Sequence, residues 1–323
     1  MPKKTYVVAL NEALGEEMER DESVFLIGQD MKRGAFTVTI GLEGKFGSDR
    51  VINSPLSESA IAGACVGAAL MGQRPVGEIM FGDMLTLAMD QIVNSAAKAR
   101  YLYGGRNHAP LVIRTANGNM GRGIGPHHNQ SFEAMFAHVP GLVVVMPSCA
   151  ADAKGLLKAA IRCDDPVVFL EAKSLYRIKA EVPDGEYVLP LGKCDIKREG
   201  SDLTLFVTGP TVNKALKAAE TLQAEGISVE VIDPMTIKPL DIATVLKSVE
   251  KTGRLVIAEE ANRTGSFGSE VAATVAEKAF HALKAPIGRV AAPDTPIPAS
   301  MFLERVYMPD ETKIIEAVKA AMK

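Results

Sequence analysis

The sequence has few cysteines, little net charge and no apolar run long enough to cross a bilayer. Only Cys65, Cys149, Cys163 and Cys194 occur among the 323 residues, and no two of them stand in a C-x-x-C pair. Their spacing therefore predicts neither a zinc site nor a disulfide framework, and it favours a reducing compartment. The formal net charge of −3 gives no general attraction to nucleic acid or to an anionic membrane.

Targeting and membrane-spanning segments are also missing from the pattern. The first residues, "MPKKTYVVALNEAL", contain no long apolar segment followed by small residues, so they do not predict a secretion signal. The most apolar stretch, residues 60–72, is too short and too rich in glycine to span a bilayer. We therefore expect a cytoplasmic protein with no nucleic-acid partner and no membrane partner.

No familiar nucleotide-binding or hydrolase motif is complete. The glycine-rich stretch "GNMGRGIGPHHNQS", residues 118–131, fits neither G-x-x-x-x-G-K-[ST] nor G-x-G-x-x-G, and the chain has no G-x-S-x-G elbow. Its glycines favour a tight loop rather than a phosphate cradle. The adjacent His127 and His128 have no cysteine or acidic partner at metal-ligand spacing. Either histidine can be structural, or one can be a proton-transferring imidazole at the end of a strand.

Strand-like and helix-like segments alternate along most of the chain. Apolar segments such as "VFLIG", "RPVGEIMF" and "PLVIRTANG" are separated by amphipathic ones. This alternation predicts an α/β fold with two domains, each a mostly parallel sheet flanked by helices. Residues 178–200 interrupt the rhythm with prolines, glycines and charges. We therefore expect a first domain over 1–185, a connection over 186–199 and a second domain over 200–323.

One carboxylate stands at the start of an uncharged helix. Glu58 lies in "NSPLSESAIAG", and residues 59–72 after it carry no charge. A helix dipole favours an acid in the first turn, which needs no function. However, Gly63 and Gly67 lie one turn apart among alanines, which suits close contact with another backbone in a core or at a subunit interface. An acid at such a buried end would be ready to share a proton, and both interpretations stay open.

Five segments together resemble the beta subunits of the thiamine-diphosphate-dependent 2-oxo acid dehydrogenases, which include the pyruvate, branched-chain and acetoin enzymes. The segments are "SPLSESAIAGACVGAALMGQRPVGEI", "DQIVNSAAKARY", "PHHNQSFEAMFAHVPGLVVVMPS", "DAKGLLKAAIRCDDPVVFLE" and "EKTGRLVIAEEA". The resemblance covers nearly the whole chain in order. It implies a transketolase-like pyrimidine-binding domain followed by a transketolase C-terminal-like domain.

The resemblance also implies a divided active site. The family holds the diphosphate and Mg²⁺ with a G-D-G motif, and this chain contains none. An alpha subunit in a heterotetramer is therefore expected to hold the diphosphate half and Mg²⁺, while this chain binds the pyrimidine half. The chain would be inactive alone.

Individual residues acquire implied roles from the same resemblance. Glu58 matches the glutamate that hydrogen-bonds the pyrimidine ring, and Met84 stands where relatives often place an aromatic residue against that ring. His128 falls on the histidine of the family's H-S-Q segment, with Asn129 here in place of serine. It would steady or protonate the intermediate and assist acyl transfer to the lipoyl group of a dihydrolipoyl acyltransferase.

Some relatives bind a potassium ion through backbone carbonyls. The positions that match are Leu111, Ala160, Ile161, Cys163 and Asp165. The expected function is thus that of a beta subunit of a pyruvate dehydrogenase-type first component acting on a small 2-oxo acid. The alternatives are an acetoin dehydrogenase beta subunit, one chain of a split transketolase, or a non-catalytic scaffold, which Met84 and Asn129 would favour.

Overall fold

The computed structural model describes all residues from Met1 to Lys323. The chain divides into two compact units, of which the first contains residues 1–117 and 135–191. The second contains residues 118–134 and 192–323, so the glycine-rich stretch groups with the carboxyl-terminal half. The domain limits expected from the sequence, near residues 185 and 200, stay a prediction.

Fourteen strands provide the frame of the two units. Their bounds are β1 Lys3–Thr5, β2 Val24–Gly28, β3 Val51–Asn53, β4 Arg74–Phe81, β5 Val112–Asn117, β6 Val143–Val145, β7 Val167–Ala172, β8 Lys179–Glu181, β9 Asp195–Arg198, β10 Leu203–Val207, β11 Val229–Asp233, β12 Thr236–Lys238, β13 Leu255–Asn262 and β14 Gly288–Ala292.

Eleven α-helices accompany these strands. Their bounds are α1 Tyr6–Arg20, α2 Leu42–Phe46, α3 Glu58–Leu70, α4 Ala99–Leu102, α5 Glu133–Ala137, α6 Ala150–Arg162, α7 Thr211–Ala224, α8 Ile242–Thr252, α9 Phe267–Ala279, α10 Met301–Tyr307 and α11 Glu311–Met322.

In the first unit, six strands lie side by side in the order β6-β7-β5-β4-β2-β3, and every neighbouring pair is parallel. Strands β5 and β7 are buried at every residue, which is typical of a parallel sheet covered on both faces. Helix α3 packs against β4, and α1 packs against α6. The carboxyl ends of the parallel strands therefore meet at one edge, where α/β folds carry their sites.

In the second unit, five strands follow the order β14-β13-β10-β11-β9. All neighbouring pairs are parallel except β11 and β9. Leu205 and Val231 of this sheet pack in one apolar core with Leu222 of α7 and Val318 of α11. Two mostly parallel sheets flanked by helices confirm the predicted fold class.

Local structure departs from the sequence-based expectation between β4 and β5. The apolar spacing of residues 85–105 predicts one helix, but the chain forms a 3₁₀ segment over Gly82–Ala88, a π segment over Asp90–Ala96 and the short α4. The helix types differ in their backbone hydrogen bonds, i→i+3 in a 3₁₀ helix and i→i+5 in a π-helix, and seven-residue segments are too short for apolar spacing to separate them. The sequence places residues 195–198, "DIKR", in the connection between the domains. The structure shows them as strand β9, antiparallel to β11 at the edge of the sheet, where charged side chains conceal the strand pattern.

Candidate active site

Glu58 is a buried carboxylate without a partner in its own chain. It is the first residue of α3, and Ser57 before it makes no side-chain capping bond. Only 8% of Glu58 is exposed, and its carboxylate forms no hydrogen bond or ion pair within the chain. The helix dipole offsets part of the cost of this burial. No side chain of its own chain pairs with this carboxylate, so the position suits a donor supplied from outside the chain.

The small residues of α3 serve close packing on one side of the helix. A Cβ atom on Gly77 of β4 would lie 2.8 Å from Cys65 Sγ and 3.0 Å from Ile113 Cδ1. Only glycine at position 77 therefore lets α3 sit this near the sheet. On its other side, α3 exposes Ala60, Ala64 and Gly67. That exposed small-residue face leaves room for a further backbone.

Met84 lies beside this helix. It is half-buried in the 3₁₀ segment Gly82–Ala88, and that segment packs against α3. Buried Leu85 and Ala88 hold the segment in the core, and the Thr86 hydroxyl donates to the Asp83 carbonyl at 2.8 Å. The first unit thus brings the segments that carry Glu58 and Met84 together.

The glycine-rich loop, residues 118–131, has its backbone donors already engaged. Gly118 N–H donates to Gln130 O at 3.0 Å, and Met120 N–H donates to Asn129 Oδ1 at 3.3 Å. Asn119 N–H lies 3.4 Å from Glu260 Oε2, and Gly121 N–H donates to Asn119 Oδ1. Four consecutive N–H groups are therefore used by protein acceptors, one of them a carboxylate. This loop is unsuited to cradle a phosphate, as its sequence indicated.

The two histidines of the loop differ in exposure. His128 is half-buried and His127 is exposed, and both lie in the second unit, whereas Glu58 and Met84 lie in the first. Asn129, which stands where the family has serine, is fully buried and braces the loop through Met120. Asn129 therefore provides a contact across the loop next to His128.

Four of the five carbonyls expected to bind potassium already accept hydrogen bonds. Arg74 Nη1 donates to Ile161 O and to Cys163 O, both at 3.0 Å. Leu111 O and Ala160 O each accept one backbone N–H, and the Asp165 carboxylate pairs with Arg100 at 2.5 Å. A carbonyl oxygen has two lone pairs, so one on each remains for an ion. Carbonyl oxygen is a donor type that potassium accepts, whereas the Arg74 guanidinium, which donates to two of the five carbonyls, would oppose a bound cation.

A buried ionic cluster in the first unit was missed from the sequence. Arg114 of β5 donates to both Glu171 oxygens, at 2.6 and 2.8 Å, and to Glu78. The Tyr176 hydroxyl donates to Glu171 at 2.7 Å. Burial raises the pKa of Glu78, against the opposing effect of the Arg114 charge. A lone arginine inside the otherwise uncharged strand "VIRTAN" was the available signal, because such a residue needs buried acids.

Other kinds of site are not formed. No group of three or more histidine, cysteine or acidic side chains is arranged to hold a metal ion. All four cysteines are free thiols. None of the helices combines the length and the hydrophobicity that crossing a membrane requires.

Two family models match the chain, one in each half. The model described as "Transketolase, pyrimidine binding domain" matches residues 3–179, and "Transketolase, C-terminal domain" matches residues 192–314. A solved structure titled "Split gene transketolase, inactive beta4 tetramer" superposes with a TM-score of 0.80 at 24% identity, covering 98% of each chain. The fold and these models define a two-domain chain of the transketolase type.

Curated relatives narrow this class. A 2-oxoisovalerate dehydrogenase subunit beta of Bacillus subtilis is 46% identical, over 99% of this chain and 98% of its own. A pyruvate dehydrogenase E1 component subunit beta of Staphylococcus epidermidis is 45% identical over the full length of both. An acetoin:2,6-dichlorophenolindophenol oxidoreductase subunit beta of B. subtilis is 46% identical, over 95% of this chain and 94% of its own.

The chain belongs to the family of 2-oxo acid dehydrogenase beta subunits, and the resemblance drawn from its sequence is confirmed. Membership implies thiamine diphosphate as the cofactor. Beta subunits of this family act together with an alpha subunit in a multienzyme complex.

Proposed function

We propose that this chain is the beta subunit of a 2-oxo acid dehydrogenase first component. With an alpha subunit it oxidatively decarboxylates a small 2-oxo acid and passes the acyl group to a lipoyl-bearing acyltransferase. Carbon dioxide leaves, and the lipoyl disulfide is the oxidant: one sulfur takes the acyl group and the other takes a proton. The observation that carries the proposal is the buried, unpaired carboxylate of Glu58 at the start of α3.

Glu58 and Met84 fit the pyrimidine half of thiamine diphosphate. Bound cofactor supplies the carbon nucleophile and the electron sink that decarboxylation of a 2-oxo acid needs. Glu58 would accept a hydrogen bond from a ring N–H of the bound cofactor and hold that proton, an interaction that its burial would strengthen. The Met84 thioether would pack on the aromatic face of the ring. Mg²⁺ and the diphosphate belong to the alpha subunit, since this chain has no G-D-G motif.

The exposed small-residue face of α3 supports a subunit contact. Ala60, Ala64 and Gly67 present little side-chain bulk to solvent, and the neighbouring apolar side chains of Leu56 and Met71 are exposed. Such a face suits another chain better than water. We infer that an alpha subunit completes the site, in a heterotetramer of two alpha and two beta chains. His128 is then the group that assists acyl transfer to the lipoyl sulfur.

The central test compares two acids that start helices. In the assembled complex, Glu58→Gln should lower turnover by about 10² to 10⁴, the range for a positioned proton-transfer group. Glu311 is the first residue of α11 and serves as the matched control, so Glu311→Gln should leave turnover within about twofold. A loss below about tenfold for Glu58→Gln would return Glu58 to a helix-start role.

The choice of substrate is an open part of the proposal. Relatives named for 2-oxoisovalerate, pyruvate and acetoin are about equally identical to this chain. The near-equal identity to the acetoin relative favours acetoin oxidation as the second candidate function. Turnover of the assembled complex with pyruvate, branched-chain 2-oxo acids, acetoin and ketose phosphates separates these candidates. Preference for ketose phosphates would point to a split transketolase instead.

A further inference from the structure

The tip of the glycine-rich loop is fastened to a single carboxylate. Glu304 Oε2 accepts a hydrogen bond from Gly123 N–H at 2.8 Å, and only 2% of Glu304 is exposed. Gly123 has φ +66, and a Cβ there would collide with the Ala299 carbonyl just before α10. Glycine at 123 is therefore required for the loop to reach this acceptor.

Helix α10 is itself held rigidly beneath the loop. Tyr307, one turn after Glu304, is the other buried residue of the helix. Its hydroxyl donates to Thr295 O at 2.9 Å and accepts from Asn262 Nδ2 at 2.8 Å, at the end of β13. The Glu304 carboxylate thus projects from a helix that is tied to the central sheet of the second unit.

The single hydrogen bond of Glu304 does not offset the free energy needed to bury its carboxylate. Its Oε1 atom is buried without a hydrogen-bond partner. An apolar side chain of similar volume would avoid that penalty, since replacing a poorly satisfied buried polar group is often neutral or stabilising. Stability alone therefore does not account for a carboxylate at this position.

Gly123 and His128 are only five residues apart in the glycine-rich loop, so a short piece of backbone joins them. Gly118 N–H bonds to Gln130 O and Met120 N–H bonds to Asn129 Oδ1 at the base of the loop, while Glu304 holds its tip. The backbone that presents His128 is therefore fixed on both sides. Misplacement of a reacting group by about 1 Å can cost on the order of 10² in rate.

We propose that Glu304 is a positioning residue for His128, acting through the Gly123 N–H at the tip of the glycine-rich loop. The proposal rests on the role given to His128 in the proposed function. It concerns acyl transfer to the lipoyl group and not the binding of the pyrimidine half of the cofactor.

The test uses four variants in the assembled complex. Glu304→Met keeps the volume and removes the acceptor, whereas Glu304→Gln keeps an acceptor oxygen. Arg305→Met, at the exposed neighbouring position on α10, is the matched control, and His128→Ala is the reference. Each is assayed for acyl transfer to a lipoyl domain and for decarboxylation with an artificial electron acceptor.

Glu304→Met should lose about tenfold to a hundredfold in acyl transfer and less than about threefold in decarboxylation. Glu304→Gln should recover most of the loss, and Arg305→Met should match the parent. Amide hydrogen exchange should rise in residues 121–128 of Glu304→Met only. Equal losses in both assays, or no loss in either, would overturn the positioning role.

The His128→Ala variant distinguishes a failure of the Glu304 proposal from a failure of the role given to His128 in the proposed function. A selective loss in His128→Ala without one in Glu304→Met overturns the positioning role alone. If His128→Ala loses nothing in acyl transfer, the catalytic role of His128 fails and the role of Glu304 fails with it. Faster exchange in the loop without any change in acyl transfer likewise rejects the proposal.

Discussion

At the scale of single residues, the first unit contains buried carboxylates in two opposite situations. Glu78 and Glu171 share the guanidinium of Arg114, and Tyr176 donates a further hydrogen bond to Glu171. Glu58 has no such partner. The first two acids are committed to holding neighbouring strands together, whereas Glu58 is available to a ligand. Partners, more than burial, distinguish a structural acid from a candidate site.

Removing the Arg114 side chain should destabilise the fold, because the two acids that pair with it are buried. Arg114→Met leaves two buried carboxylates without a cation, so the free energy of unfolding should fall by about 3–5 kcal/mol. Arg100→Met is the control, because Arg100 forms an exposed pair with Asp165 and should change it by less than about 1 kcal/mol. Chemical denaturation followed by circular dichroism measures both variants.

The deficit of Arg114→Met should also depend on pH. Without the arginine, burial holds the pKa of Glu78 still further above its value in the unfolded chain. The folded variant then binds more protons than the unfolded one, so its stability should fall as pH rises from 5 to 8. A deficit that is constant over this range would mean that Glu78 does not carry the effect.

Residue roles were only partly predictable from the sequence. Glu58 could be singled out, because an acid at the start of a long uncharged helix is visible in the letters. Its lack of a partner could not, since that depends on which side chains the fold brings near. The hydrogen bond between Glu304 and Gly123 joins positions 181 residues apart and has no sequence signature.

At the scale of elements, the contact between α3 and β4 depends on one missing side chain. Gly77→Ala would place a Cβ 2.8 Å from Cys65 Sγ, so it should lower the free energy of unfolding by about 1–3 kcal/mol. Gly67→Ala is the control, because no atom lies within 4 Å of a Cβ at that exposed helix position. It should stabilise the isolated chain by up to about 1 kcal/mol.

In assembly with an alpha subunit, Gly67→Ala should be more damaging than Gly77→Ala, which is the reverse of their order in stability. If the exposed face of α3 meets an alpha subunit, a methyl group at position 67 weakens the complex while leaving the beta chain intact. Analytical ultracentrifugation of each variant with the alpha subunit measures this. Unimpaired assembly of Gly67→Ala would place the subunit contact elsewhere.

Elements with a strong period were predictable, and those set by their neighbours were not. The parallel strands other than β3, and the helices α1, α6 and α7, follow from apolar patterning alone. The 3₁₀ and π segments before α4 do not, although they carry Met84 and pack on α3. Close approach of Gly141 to the Ala97 carbonyl is one such constraint, and it joins residues 44 positions apart.

At the scale of the whole molecule, the dependence of stability on the type of salt is the most direct test of potassium binding by the backbone carbonyls. Potassium that binds only the folded protein should raise the unfolding midpoint of the assembled complex in potassium chloride. The expected rise is roughly 2–4 °C for each kcal/mol of binding free energy. Sodium and choline chloride at equal ionic strength are the controls. Identical midpoints in the three salts would remove potassium from the proposal.

The unpaired carboxylate of Glu58 sets the demands of stability and activity against each other. The free chain provides no hydrogen-bond donor for this largely buried acid, and a bound pyrimidine ring would provide one. A search for heat-resistant variants of the isolated chain would therefore favour neutral residues at position 58 and discard the enzyme's chemistry in the process. Selection for thermostable variants of this subunit has to be done with its cofactor and its partner subunit present.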